Sequence, residues 1–331
     1  MVESVTRGYY SRLTRPPIRS INLPAMSIRL RTKSDLKAVF QEYNIWARKE
    51  LGQNFLIDHN LLRFLVESGE VGENDFLLDI GAGTGLLTRK LAQRAWKVWA
   101  VEIDARMFDF CSAYTSGLTN IRMVNRDVLK NKYNLDPELE AEILAELQSR
   151  PETRFKVVSN LPYSISTLII PILLQGPIPV ERMVLTVQKE VGERLVAVPG
   201  TKDYGSLSVI IQTWANVEIL KILPNTVFWP QPKVDSAIVG ITPRFDRLEL
   251  IDDTDLFRTI AQGLFSARRK KAVNALKQDE RVMVPAETLK RGFEIAAIDP
   301  DRRGEDLSVD EVISLANAIE EARQTIEAPT G

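Results

Sequence analysis

The stretch FLLDIGAGTGLLTRKLAQRAWKVWAVEID, residues 76–104, decides the fold class. Phe76-Leu77-Leu78-Asp79-Ile80 is a short apolar run of the length of a buried strand, and it stops abruptly at Gly81-Ala82-Gly83-Thr84-Gly85. Helical spacing of apolar residues resumes from Leu86 to Arg94. Trp96 to Ile103 is β-rich again and closes on Glu102 and Asp104. Strand, glycine turn, helix and strand in that order open a doubly wound parallel sheet. A glycine turn at the carboxyl end of the first strand lets the backbone approach a ligand without a Cβ clash, and it aims helix N–H groups at that ligand. Glu102 lies 21 positions after Gly81, where an acid ending the second strand is placed to hold two ribose hydroxyls. The GAGTG pattern lacks the third glycine of a pyrophosphate-binding turn, because position 86 is Leu. The pattern points to a nucleotide-type ligand, with a plain tight turn as the alternative, and does not choose between NAD and S-adenosylmethionine.

Outward from this unit, Ile121–Val124 reads as a third strand. It is followed by NRDVL (125–129), in which Asp127 is placed either to accept a hydrogen bond from an adenine amino group or to cap a helix. Further strand candidates are Phe155–Ser159, Met183–Val187 and Ala237–Ile241, separated by helix-length stretches. A helix is expected over Asp35–Arg48, another from Leu61, and a surface helix over Asp136–Ser149. Beyond Arg244 the chain turns helical and highly charged, through Phe257–Lys277, Ala286–Phe293 and Val309–Arg323. The expected organisation is a basic, disordered arm over 1–33, an α/β domain over 34–245, a small all-helical domain over 246–325 and a tail over 326–331. The arm is rich in Arg and Ser and poor in acids; an organellar transit peptide is its other reading, and Met26 is an alternative start.

Composition narrows the chemistry. The 331 residues carry 43 Lys+Arg against 44 Asp+Glu, so any attraction to nucleic acid must come from local patches rather than net charge. The single cysteine, Cys111, excludes an intramolecular disulfide scaffold and a Cys-rich zinc site, and a reducing, cytoplasmic compartment is expected. The single histidine, His59, leaves no His-rich metal cage, so chemistry without imidazole and without a metal is expected. The longest apolar stretches are interrupted by Pro171, Pro177 and Pro179, short of the roughly 18–20 residues of a membrane span.

The segment Ser159-Asn160-Leu161-Pro162-Tyr163 follows the apolar run FKVV and is the most informative chemically. The exocyclic amine of adenine is a poor nucleophile, because its lone pair is delocalised into the ring. Two acceptors, the Asn160 side-chain oxygen and the Leu161 carbonyl, are able to take its N–H bonds and turn that lone pair towards an electrophile. Pro162 fixes the local dihedral and offers no competing N–H. Tyr163 presents a face on which a flipped-out base stacks. The structural alternative is a strand-to-loop turn in which Asn bonds its own backbone.

With these motifs in hand, the chain resembles the small-subunit rRNA adenine dimethyltransferases, the KsgA family. The likeness is carried by LGQNFLID (51–58), DIGAGTGLLT (79–88), VEID (101–104), RDVL (126–129), NLPYSIST (160–167), VQKEVGERLVAVPGTKDYGSLSV (187–209), FWPQPKVDSAIV (228–239) and FSARRKKAVNAL (265–276). It implies a Rossmann-like class I methyltransferase with a seven-stranded, mostly parallel sheet and a helical rRNA-binding domain at the C-terminus. It also implies methyl transfer from S-adenosylmethionine to N6 of two adjacent adenosines near the 3′ end of 16S rRNA, by a monomer acting on an assembling 30S-type particle.

Carried over residue by residue, the resemblance implies cofactor contacts at Asn54, Leu56, Gly81, Gly83, Glu102, Asp127 and Asn160. It gives a catalytic role to Asn160, Leu161, Pro162 and Tyr163. It implies that Phe228 covers the second face of the adenine, a residue that otherwise reads as core, and that Lys189, Arg194, Lys202, Arg268, Arg269 and Lys270 meet RNA phosphates. For the RRKK run (268–271) a solvated helix face is the alternative. The chain departs from the family in its longer N-terminal arm and an expanded segment from Lys130 to Arg154. Two other functions compete: the related large-subunit rRNA methyltransferase of macrolide resistance, and an assembly or transcription factor that binds RNA without turnover. QKEVGERL, YGSLSV and PKVDS favour the small-subunit enzyme over the first; the intact NLPY and glycine turn argue against the second.

Overall fold

The computed structural model describes residues 30–327. The N-terminal arm lies outside them up to residue 29, as do residues 328–331 of the tail. Residues 30–33 already belong to the fold: Leu30 is buried, and its carbonyl lies 2.8 Å from His59 Nε2. Helix α1 (Lys33–Glu42) starts at a capping box, in which the Thr32 hydroxyl accepts from Asp35 N and the Asp35 carboxylate accepts from Thr32 N. It ends earlier than its apolar spacing predicts, because Asn44 turns into the left-handed region at φ 53° and sends Ile45 into the core.

The elements that follow are β1 (Phe55–Leu56), α2 (His59–Ser68), β2 (Asp75–Ile80), α3 (Leu86–Ala92), β3 (Lys97–Val101), α4 (Ala105–Thr115), β4 (Ile121–Val124), α5 (Pro137–Ser149), β5 (Arg154–Asn160), α6 (Ser166–Gln175), β6 (Val180–Gln188), α7 (Lys189–Val196), α8 (Ser206–Trp214), β7 (Ala215–Leu223), β8 (Phe228–Trp229) and β9 (Ser236–Pro243). Seven strands form one sheet in the order β4-β3-β2-β5-β6-β9-β7, while β1 and β8 pair separately. The neighbours from β4 to β6 run parallel; β9 is antiparallel to both β6 and β7. The strands read from the sequence all form. Three were missed: the two-residue pair β1 and β8, too short to show a pattern, and β7, a strand at the edge of the large sheet whose residues are largely in contact with solvent, so it lacks a continuous apolar run.

Two apolar cores flank the sheet. Phe76, Leu78, Ile80 and Trp99 face one of them, and Leu77 and Val98 the other, as strand alternation requires. Helix α5 is capped by Asp136, whose carboxylate accepts from Leu139 N. It is more than a surface helix, because Leu139 and Ile143 are fully buried against the sheet.

The C-terminal region consists of α9 (Thr254–Leu264), α10 (Ala272–Gln278), α11 (Ala286–Ile295) and α12 (Val309–Glu327). The single helix expected over Phe257–Lys277 is two, divided where Ser266 Oγ donates to Gly263 O and Ala272 N bonds Arg302 O instead of continuing the helix. These helices share the larger core with the sheet domain, Trp214 meeting Phe257 edge-on at 5.5 Å.

Candidate active site

From β2 the chain passes to β3 and β4 on one side and returns to β5 on the other. That reversal opens a crevice at the carboxyl ends of the strands, the place where open α/β sheets bind ligands. A cleft of about 850 Å³, counted to its open mouth, lies there. Its walls bring together Asn54 from the first matched motif, Gly81 and Gly83, Glu102, Asp127, and the whole run Asn160 to Ile165. Leu56 lies apart, lining a smaller adjoining recess. His59 is not among the lining residues.

The glycine turn is forced by close packing. Gly81 has φ +73°, and a Cβ there would lie 2.8 Å from Pro162 Cγ and Cδ; at Gly83, with φ +51°, it would meet the Phe55 ring at 2.9 Å. The N–H groups of the turn itself are used internally. Gly81 and Ala82 donate to Val101 O, Gly85 to Ala82 O, and Gly83 to Glu102 Oε2 at 2.8 Å. What the turn offers a ligand is close approach, which suits one without a pyrophosphate.

Glu102 is buried, and its other oxygen accepts from Asp104 N at 2.9 Å. Burial pushes its carboxyl up to about 7, against the opposing effect of the two N–H bonds. Asp127 Oδ1 accepts from Leu129 N at 2.9 Å, and burial raises its pKa as well. No helix starts at Asp127, so the capping alternative fails; Asp136 does that work nine residues later. Sequence reasoning overlooked Asp79, a second buried carboxyl that accepts from Thr88 Oγ1 at 2.7 Å and is raised by burial to about 7. Its signal was present, as the acid two residues before the glycine turn.

Across the crevice, the Asn160 amide has a fixed orientation. Asn54 O can only accept, so it must face Nδ2, which donates to it at 2.9 Å. Asn160 Oδ1 is thereby left buried and without a hydrogen-bond partner among the described residues. The Asn does not bond its own backbone, as the alternative reading of NLPY required. Leu161 sinks its side chain into the core, so its contribution to the cleft is main chain. Pro162 packs on Gly81, and the half-buried Tyr163 shares a 2.6 Å hydrogen bond with Ser236 Oγ.

The residues assigned to RNA divide. Phe228 does not line the cleft: β8 pairs with β1, Leu56 opposite Phe228, and this turns the ring wholly into the second core. Its alternative reading as a core residue is what the structure shows. Arg268 is bound to Glu305, Thr201 O and Tyr204 O, and Lys271 pairs with Asp301 at 2.6 Å. Lys270 bonds the neutral Gln278, and neither it nor Arg269 has an acidic partner among the described residues. Lys189 pairs with Glu193 at 3.6 Å, while Arg194 and Lys202 show no acidic partner among the described residues.

The donor set suits S-adenosylmethionine. Two carboxyl groups, Glu102 and Asp127, stand on one edge of the crevice and a third, Asp79, in the adjoining recess, while the crevice's cation, Arg126, is already paired with Asp136 and Glu138 at 2.9 and 3.0 Å. Such an edge favours a ligand that is positively charged and carries hydroxyls and an amine.

The ribosomal RNA adenine dimethylase family matches residues 45–321. The ribosomal RNA small subunit methyltransferase A of Geobacillus thermodenitrificans is 39% identical over 289 residues, 87% of this chain and 96% of that one. The protein of the same description from Bacillus mycoides is 40% identical with the same coverage. Among solved structures, a dimethyladenosine transferase from Plasmodium falciparum superposes with a TM-score of 0.64 at 23% identity, over 80% of this chain and 97% of that one. The 23S rRNA methyltransferase ErmE superposes with 0.57 at 25% identity, over 81% and 100%. The crevice with its unpaired amide oxygen thus sits in a chain that belongs to the ribosomal RNA adenine dimethylase family.

Proposed function

We propose that this protein transfers methyl groups from S-adenosylmethionine to N6 of two adjacent adenosines near the 3′ end of small-subunit (16S) rRNA. It acts as a cytoplasmic monomer on the assembling 30S-type particle. The observation that carries this reading is Asn160 Oδ1, a buried acceptor with no partner among the described residues, on the wall of the cleft that also holds Tyr163. A buried polar atom left unpaired costs about 1–3 kcal/mol, so it is best explained by a donor that arrives with the substrate.

S-adenosylmethionine, when bound, supplies an electrophilic methyl group on a positively charged sulfur. Glu102 would accept from the ribose hydroxyls and Asp127 from the adenine amine of that ligand, while Gly81 and Gly83 would permit its close approach. Tyr163 stacks on the target adenine. In the first transfer Asn160 Oδ1 and the Leu161 carbonyl accept the two N6–H bonds, and in the second one of them accepts the N–H that remains, so the nitrogen lone pair is drawn out of the ring and aimed at the methyl carbon. As the N–C bond forms the methyl–sulfur bond breaks, its electron pair remaining on the now neutral sulfur; the nitrogen becomes cationic and acidic, and its proton passes to water at the open mouth. Orientation and polarisation replace a strong base. Arg269, Lys270, Arg194 and Lys202 provide local positive surface for the RNA backbone.

Incubating the purified protein with radiolabelled cofactor and either immature small subunits or large-subunit RNA, followed by primer extension, tests the reading. Dimethylated adenosines confined to the 3′ region of small-subunit rRNA are expected. Methylation confined to large-subunit RNA overturns it.

A further inference from the structure

The segment Phe228–Ser236 has no part in covering the base through Phe228, yet it reaches the cleft by another route. It is stitched to itself and to the sheet. Asn225 N donates to Asp235 Oδ1 at 3.0 Å, Asn225 Nδ2 to Pro232 O at 3.2 Å, and Gln231 Nε2 to Asn225 Oδ1 at 2.8 Å. Asp235 O accepts from Lys189 N at 3.0 Å. The next residue, Ser236, opens β9 between Gln188 of β6 and Leu223 of β7, and it is wholly buried. Its position is therefore fixed by two neighbouring strands. Tyr163, by contrast, stands on the loop after β5, and the 2.6 Å bond from its hydroxyl to Ser236 Oγ ties that loop aromatic to the sheet.

From this arrangement we infer that Ser236 is a positioning residue for methyl transfer: its hydroxyl fixes the Tyr163 ring as the platform for the target adenine. The inference rests on the proposed reaction and names a residue that acts on it through another. The bond holds the ring at its phenolic tip, so neither ring face is taken up by the tether. A ring free to change rotamer would let the stacked base drift, and N6 would lose its register with Asn160 Oδ1. Displacements of about 1 Å at a reacting centre cost up to about 100-fold in rate. The segment that the resemblance credits with the second face of the base thus holds the first platform from behind.

The test compares wild type, Ser236→Ala, Tyr163→Phe and the double variant for kcat and KM on immature small subunits, cofactor affinity by calorimetry, and melting temperature. Each single variant is expected to lower kcat about tenfold with cofactor affinity retained. The double variant should be no slower than Tyr163→Phe alone, because both changes remove the same bond. Wild-type kcat in Ser236→Ala, or a double-variant loss equal to the product of the single losses, would overturn the positioning role. Should Ser236→Ala fail to fold, Tyr163→Phe decides, and an unchanged kcat in that variant overturns the role too. Absence of turnover in the wild-type protein strikes the reaction itself instead.

Discussion

The two walls of the crevice are built on opposite principles. On the wall formed by the ends of β2, β3 and β4, polar groups are paired within the protein: both oxygens of Glu102 accept main-chain N–H bonds, Asp127 accepts one, and Asp79 is bonded by Thr88. On the β5 wall, the Asn160 amide oxygen has no partner among the described residues. The first wall is a finished receptor with lone pairs to spare, suited to hold a ligand the same way throughout a reaction. The second is incomplete until a donor enters, which is the condition for an interaction that strengthens on the way to the transition state.

The sharpest way to break this comparison is Asn160→Ala. Methyl transfer at saturating cofactor should fall by about 10²–10³-fold, the usual loss on removing one preorganised acceptor or donor, while cofactor binding stays measurable. Single-turnover rates with labelled cofactor give the answer, and wild-type turnover would refute the division between the walls. Glu102→Ala should do the reverse. Calorimetry should record a cofactor affinity weaker by about 10–100-fold, as for a lost buried acceptor of a charged group, with kcat at saturation largely kept. Unchanged affinity would refute the ribose assignment. Gly81→Ala tests whether the walls are mechanically joined: with φ +73° and Pro162 in the way, it should cost about 1–3 kcal/mol in denaturant unfolding.

Acidity sharpens the same contrast. Burial raises both Asp79 and Glu102 to about 7, so the folded protein holds their protons more tightly than the unfolded chain. Their contribution to stability is therefore complete below the ordinary carboxylate range and is lost as pH rises through about 7. The ionised groups attract a cationic ligand, so cofactor affinity should climb about tenfold from pH 6 to pH 8. Glu102→Gln should flatten that rise. Smallest in effect, Arg269→Ala with Lys270→Ala should raise KM for the particle a few-fold and lessen the log–log salt slope of binding by somewhat less than one for each lost phosphate contact. Arg268→Ala should instead lower the melting temperature, since its guanidinium holds Thr201, Tyr204 and Glu305.

What the sequence made legible was contiguous chemistry. GAGTG, the acid at 102 and NLPY each announce themselves within a few residues, because a turn, a strand end and a dihedral constraint are local properties. The features it hid depend on pairing across distance. Asn160 receives its orientation from a main-chain carbonyl 106 positions away, and a carbonyl has no residue type to read. Ser236 meets Tyr163 across 73 positions. The aromatic character of Phe228 was plain, but a two-residue strand decides which way it points. Likewise RRKK reads as four equal cations until acids from the chain after α11 take two of them, through Glu305 and Asp301.

The helices after Thr254 do more than carry a basic turn. Tyr204 gives its hydroxyl to Leu307 O at 2.9 Å and lays its ring against Phe265, and Trp214 abuts Phe257. Cutting the chain at the apparent domain border would leave these large rings facing water. A fragment ending near residue 245, the first three-quarters of the chain, should therefore be recovered as aggregate rather than as a minimal enzyme.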